Sequence, residues 1–152
     1  MKSLIIYIAF LFIAAEAFAA TPAQELISRY GDMKGIRKVE VSGSKMVFAR
    51  PILKRYPIGK MADSVMAVGV VNLTKASATD KEAFLNDLKH TMRNYRYYGK
   101  SETPEGPVDV YVHLQSDDMV DELVTYNPET YVLNSLIGDF PVKELLSLHP
   151  AK

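Results

Sequence analysis

The second half of the chain contains four segments in which apolar and polar residues alternate, separated only by short turns. The segments span residues 95–100, 108–114, 119–126 and 130–137, and the turns between them carry Pro, Gly, Asp or Asn. Alternation with a period of two is typical of half-buried strands, and such short connections join antiparallel neighbours. This half of the chain therefore predicts a meander of four antiparallel strands, which commits the fold to a mostly antiparallel sheet.

The residues before the meander indicate two further strands. Residues 37–41 alternate like a half-buried strand, whereas residues 64–73 are apolar on both faces, as in a central strand. Residues 44–56 are ambiguous, because Pro51 interrupts a pattern that otherwise suits a helix. We therefore expect two strands here, with an ambiguous helical segment between them.

Two helix starts are marked by capping patterns. Thr21 and Gln24 enclose a proline and suit a helix cap, and residues 79–82 form a capping box before an apolar stripe. A last short helix follows Gly138. The complete order is αβ(α)βαββββα, which predicts an α+β fold with helices packed on a mostly antiparallel sheet that ends in the four-strand meander.

The first nineteen residues have the layout of a cleaved secretory signal. Lys2 gives a positive start, residues 4–15 form an apolar run, and residues 17–19 are a small-x-small cleavage site. The run is shorter than the roughly 20 residues that span a bilayer, although an uncleaved anchor or a buried helix is the alternative. We expect residues 1–19 to be a cleaved signal peptide and residues 20–152 to be a single α+β domain without a transmembrane span.

The composition excludes several classes of function. The chain has no Cys, so it has no disulfide, no thiolate metal site, no cysteine nucleophile and no cysteine for a lipid anchor. Its 18 basic and 18 acidic side chains give a net charge of zero, whereas a nucleic-acid-binding domain is normally basic. We therefore expect an exported protein, periplasmic or at the cell surface, that is not lipid-anchored and does not bind nucleic acid.

The charge is nevertheless divided unevenly along the chain. Residues 21–60 carry nine Lys or Arg and three Asp or Glu, whereas residues 101–152 carry two Lys or Arg and ten Asp or Glu. Such asymmetry indicates either a basic docking face or two halves that attract each other in the folded protein. Internal compensation is the simpler interpretation of the two.

Short motifs yield no catalytic, cofactor-binding or metal-binding residue. Residues 42–45 match the S-x-x-K of penicillin-binding enzymes, but the companion motifs are absent and the chain is too short for that fold. The histidines His90, His113 and His149 have no partner at metal-ligand spacing, so surface histidines are the simpler interpretation. We therefore predict no catalytic site, no cofactor and no metal ion.

Three clusters of one residue type have a functional and a structural interpretation. The acidic run at residues 117–122 lacks the ligand spacing of a calcium loop, which favours a solvated hairpin turn. Basic residues around Tyr56 could meet anionic lipid, an acidic glycan or an acidic partner, or could simply form a solvated face. These basic residues are Arg50, Lys54, Arg55 and Lys60. Six tyrosines between residues 95 and 131 could stack on sugars, but tyrosines also favour strands.

Five segments of the chain carry a family resemblance: residues 26–30 (LISRY), 35–42 (GIRKVEVS), 108–112 (VDVYV), 122–124 (ELV) and 136–139 (LIGD). They resemble the exported domain-of-unknown-function family 4252, found mainly in Bacteroidota. The resemblance covers nearly all of the expected mature chain and implies an envelope-associated protein without an assigned activity. It brings no catalytic residues, and the lack of Cys departs from relatives that look like lipoproteins.

These observations favour a non-enzymatic binding or interaction module of the cell envelope, with a function in a signalling or stress pathway as one option. Its partner would be an envelope protein or a small ligand, and the sequence does not indicate an oligomeric state. Two alternatives stay open. One is a small hydrolase whose site assembles from dispersed residues such as Ser42, His113 and the acidic run, and the other is a glycan-binding module that uses exposed tyrosines.

We predict that the exported protein begins at Ala20, because the apolar run is too short to remain as a membrane-spanning helix. Mass spectrometry of the protein recovered from the envelope fraction checks this. A mass that still includes residues 1–19 would show that the segment is retained.

Overall fold

The computed structural model of the chain describes residues 20–148, so the expected signal peptide (residues 1–19) and His149 lie outside the described part. Its helices are α1 (Pro22–Gly31), α2 (Met46–Leu53), α3 (Ala78–Thr91) and α4 (Val142–Leu148). Its strands are β1 (Arg37–Ser42), β2 (Val65–Asn72), β3 (Arg96–Thr103), β4 (Gly106–Ser116), β5 (Met119–Asn127) and β6 (Val132–Pro141). This order confirms the predicted α+β fold.

The six strands of the described region form one antiparallel sheet in the order β1-β2-β6-β5-β4-β3. Strands β3 to β6 pair with their neighbours in the chain, as the predicted meander requires. Strand β2 then pairs with β6 and carries β1 at the edge of the sheet. The strand expected to be central is therefore second from the edge, although its apolar side chains do point to both faces.

Helices α1 and α3 cover one face of the sheet. Leu26 and Ile27 of α1 and Phe84 of α3 are fully buried, and they pack with Val71 and Leu133 of the sheet. Burying one such side chain completely contributes about 1.5–3 kcal/mol, so this layer supplies much of the stability. Helices α2 and α4, with the 3₁₀ segment Pro57–Ser64, lie on the opposite face and complete a three-layer arrangement.

The predicted helix caps are confirmed for α1 and wrong for α3. In α1 the Gln24 backbone N–H donates to Thr21 Oγ1 at 3.1 Å, and the Thr21 N–H donates to Gln24 Oε1 at 2.9 Å. The cap of helix α3 is instead Ser77, two residues before the expected Thr79, because the Ser77 hydroxyl accepts from the Asp80 N–H at 3.0 Å. Thr79 therefore lies inside the helix.

Residues 101–107 are part of the β3–β4 hairpin. Ser101 pairs with Val108 and Thr103 pairs with Gly106, so the turn spans only Pro104 and Glu105. Gly106 has a φ of 113°, a conformation that residues with a Cβ rarely adopt. The Pro-Glu-Gly-Pro sequence therefore makes a tight turn between two long strands.

The ambiguous segment around Pro51 forms helix α2, which contains the proline in its interior. The preceding residue, Arg50, anchors the helix, since its Nη2 donates to the Val65 carbonyl at 3.2 Å. Proline cannot donate a backbone hydrogen bond, which weakens a helix that has only eight residues. Helix α2 is therefore held on the sheet mainly by its side chains.

The acidic run divides between solvent and core, which corrects the expectation of a wholly solvated turn. Asp117 and Asp118 are exposed at the β4–β5 turn, and Asp121 is half-buried. Glu122, by contrast, is only 2% exposed and lies on the sheet face covered by α1. A carboxylate in this position needs hydrogen-bond donors, because an unpaired buried charge is very costly.

Three hydroxyl groups supply those donors. The Tyr95 hydroxyl donates to Glu122 Oε1 at 2.7 Å, and the hydroxyls of Thr21 and Ser135 donate to Oε2 at 2.8 and 2.6 Å. The Tyr95 oxygen also accepts from the Ala23 N–H at 3.1 Å. Burial, followed by the charge of Glu122, raises the pKa of Tyr95, which keeps the phenol protonated and able to donate. The network ties the start of α1 to β5 and β6.

We predict that Glu122→Gln destabilises the protein by about 1–3 kcal/mol, because an amide nitrogen replaces one acceptor oxygen among three hydroxyl donors. Chemical denaturation measures the free energy of unfolding. Glu82→Gln is the matched control, since Glu82 is exposed on α3 and its change should cost less than about 0.5 kcal/mol. Equal stability of the two variants would contradict the network.

Candidate functional site

The sheet face opposite α1 and α3 carries an incompletely covered cavity of about 510 Å³, which we call the apolar groove. Its floor comes from strands β1, β2, β6, β5 and β4, and its walls come from α2, the 3₁₀ segment, α4 and strand β3. The floor is mostly aliphatic: Val39, Val41, Val68, Val70, Val108, Val110, Leu123, Val132 and Leu136. Ligand sites of proteins are typically concave, mostly apolar and about 300–1,000 Å³ in volume, so the groove has the size and lining of such a site.

The groove stays open because α2 is too short to cover it. Eight helical residues span about 12 Å, which is less than the width of three strands. Met46 at the start of α2 is fully buried, whereas Phe48 and Ile52 at the groove are 76% and 52% exposed. Val39 on the edge strand is 53% exposed as well. Together these side chains expose apolar surface at the groove, and exposed apolar patches are typical of interaction sites.

Polar side chains concentrate at one end of the groove, where the β3–β4 and β5–β6 turns meet. The groove-lining polar residues of this end are Ser101, Thr103, Glu105, Asn127 and Thr130. Asn127 fixes the end, since its Nδ2 donates to the Glu105 carbonyl at 3.3 Å and its Oδ1 accepts from the Glu129 and Thr130 N–H groups. The groove therefore has a rigid polar end, which we call the turn end.

Tyr56 and Glu105 line the groove from its two sides at this end. Tyr56 follows α2, whereas Glu105 lies in the β3–β4 turn. Burial raises the pKa of Tyr56, and a hydrogen bond to the Glu105 carboxylate adds to the rise. The phenol therefore remains protonated at neutral pH, close to the carboxylate of the hairpin turn.

A second polar feature lies in the middle of the floor. Asn134 on β6 is directly opposite Thr125 on β5, and its Nδ2 donates to Thr125 Oγ1 at 3.2 Å. Both residues line the groove between Val70 and Val110 of the neighbouring strands. Such a pair can offer the Asn134 carbonyl and the Thr125 hydroxyl to a polar atom of a ligand, while the surrounding valines contact its apolar part.

The structure does not bring together the residues named for a hydrolase. Ser42 ends strand β1 at the sheet edge, whereas His113 lies on β4, four strand spacings or about 19 Å away. The His113 Nδ1 contacts Asp121 Oδ1 at 2.8 Å, but Asp109 instead binds Tyr97 and Lys100. A nucleophile, base and orienting acid need mutual hydrogen-bond reach, so this set lacks the required geometry.

The remaining candidates also stay dispersed. His90 is exposed on α3, and within residues 20–148 no three His, Cys, Asp or Glu side chains form a group that could hold a metal ion. Tyr97 and Tyr111 pack with centroids 5.2 Å apart at an interplanar angle of 61°, so they do not form the coplanar platform of a glycan site. Lys54, Arg55 and Lys60, by contrast, are exposed beside the groove.

Comparison of the chain with family models, with curated proteins and with solved structures found no match. The resemblance to family 4252 therefore stays a prediction. Among the helices of residues 20–148, none combines the length and the apolar character needed to cross a membrane.

We predict that Val71→Ala costs about 1.5–3 kcal/mol, whereas Val70→Ala costs less than about 1 kcal/mol. The two valines are neighbours on β2, but Val71 is fully buried under α1 and Val70 is half-buried in the floor of the groove. Chemical denaturation of both variants compares the two faces of the sheet. Equal costs would mean that the groove face is as tightly covered as the other.

Proposed function

We propose that the protein is a non-enzymatic binding module that holds a single-chain amphiphile in the apolar groove. The observation that carries the proposal is the 510 Å³ cavity itself, with its aliphatic floor and its polar turn end. A ligand that is apolar along most of its length and polar at one terminus matches this lining. The aliphatic chain would lie over Val68, Val110 and Leu136, and its head would reach Ser101 and the turn end.

The charge of the lining favours an uncharged head group. Among residues 20–148, the lining contains one acidic residue, Glu105, and one basic residue, Lys100. Lys100 already forms an ion pair with Asp109, since its Nζ lies 2.7 Å from Asp109 Oδ1. The other polar groups at the turn end are hydroxyls and an amide, which hydrogen-bond to alcohols, amides and esters. A long-chain alcohol is therefore a suitable first ligand, and a carboxylate would meet Glu105 without a free cation of the lining to pair with.

Titration with the neutral fluorescent probe N-phenyl-1-naphthylamine tests the groove. We expect saturable binding with a fluorescence increase and displacement of the probe by hexadecanol. Phe48→Ala should weaken probe binding by about fivefold to thirtyfold, because it removes about 1–2 kcal/mol of apolar contact from the groove wall.

Val47→Ala is the matched control for this experiment. Val47 precedes Phe48 on α2 and is 60% exposed, but it does not line the groove. The affinity of this variant for the probe should stay within about twofold of that of the unchanged protein. Absence of saturable probe binding, or an equal loss in both variants, would overturn the proposed function.

A further inference from the structure

Residues 43–60, which we call the basic–apolar segment, carry an unbalanced positive charge. The segment contains no Asp or Glu and five basic residues, namely Lys45, Arg50, Lys54, Arg55 and Lys60. All of these except Arg50 are exposed. The ion pairs found among residues 20–148 are formed by Lys38, Lys100 and His113, so the exposed charges of the segment are outside them. Among residues 20–148, these ion pairs do not join the basic–apolar segment to the acidic C-terminal part of the chain.

The same segment presents an apolar face between its charges. At about 100° per residue, Val47, Phe48 and Ile52 fall on one side of α2, with Lys45 and Lys54 at its two borders. Val47, Phe48 and Ile52 are 60%, 76% and 52% exposed. The hydrogen bond from Arg50 to the Val65 carbonyl, 3.2 Å long, fixes the opposite side of the helix to the protein. The apolar face is thus held outward.

From this geometry we infer that the basic–apolar segment docks on the surface of an anionic lipid bilayer. An apolar helix face bordered by cations is the arrangement with which interfacial helices enter the headgroup region, where the cations meet lipid phosphates. The exposed face carries aliphatic and aromatic carbon between its cations, which suits acyl chains better than the hydrogen-bonding surface of an acidic protein. Charge complementarity selects an anionic surface over a neutral one.

The position of the face also connects docking with the groove. Phe48 and Ile52 belong both to the exposed face of α2 and to the wall of the groove. A bilayer in contact with α2 would therefore lie beside the opening of the groove. The inference does not depend on the proposed function, because it rests on the exposed charges and side chains of residues 43–60.

Co-sedimentation with lipid vesicles tests the inference on the purified protein. We expect binding to vesicles of phosphatidylcholine mixed with phosphatidylglycerol, and not to phosphatidylcholine alone. Binding should weaken as salt is raised, because the Debye length falls from about 10 Å at 0.1 M to about 3 Å at 1 M. The combined change Lys54→Ala and Arg55→Ala should weaken binding by about tenfold to thirtyfold, since each basic residue near an anionic surface contributes about fivefold.

The matched control removes the same charge from the opposite side of the molecule. Lys89 and Arg93 are exposed at the end of α3 and just after it, so Lys89→Ala with Arg93→Ala should change vesicle binding by less than about twofold. All variants carry the same N-terminal residues, so a difference in vesicle binding between them comes from the substituted residues. Equal losses in the two double variants, or equal binding to both kinds of vesicle, would overturn the inference.

A single tryptophan reports where the protein touches the bilayer, since the chain has none. Fluorescence of Phe48→Trp should shift to the blue when anionic vesicles are added, whereas Ala83→Trp, at an exposed position of α3, should not shift. Equal shifts of the two would contradict docking through α2. Lys54 and Arg55 do not line the groove, so the variant that lacks both should still bind the fluorescent probe. Loss of vesicle binding with normal probe binding therefore concerns docking alone, whereas absence of probe binding concerns the proposed function.

Discussion

Helices bury the centre of one face of the six-stranded sheet, whereas the opposite face stays partly open around the apolar groove. Helices α1 and α3, with 10 and 14 residues, bury the face that carries Val71 and Leu133. Helices α2 and α4, with 8 and 7 residues, are left to cover the other face. The apolar groove and the exposed side of α2 both follow from this mismatch between the area of the sheet and the length of the helices.

The sequence predicted the order of the elements because alternation and capping are local signals, whereas the groove depends on contacts that are distant in the chain. The meander follows from short turns, but the pairing of β2 with β6 joins Val70 to Asn134 and has no local signal. One trace of the groove was visible: residues 64–73 place valines on both faces of a strand, while Phe48 and Ile52 lie in a short, proline-interrupted helix. That α2 leaves the groove partly uncovered is visible only in the three-dimensional arrangement.

The buried Glu122 carboxylate is a second feature that depends on contacts distant in the chain and has no local sequence signal. Glu122 follows three aspartates in the sequence, which favoured a solvated turn for the whole run. Its donors Thr21, Tyr95 and Ser135 lie 101, 27 and 13 residues away, so their convergence depends on the complete fold. The predicted cap at Thr21 was correct, but its hydroxyl has a second role, because it accepts from the helix backbone and donates to the carboxylate.

The two faces of the sheet differ in how far they are covered. The face under α1 and α3 is closed by large buried side chains and by the Glu122 network, so the other face can remain open without loss of the fold. An open apolar face would promote association between copies of the chain, but Lys54 and Arg55 beside it make two such faces repel each other. An anionic bilayer reverses the sign of that interaction. In the docking that we infer, the same charges would attract the protein to a lipid surface.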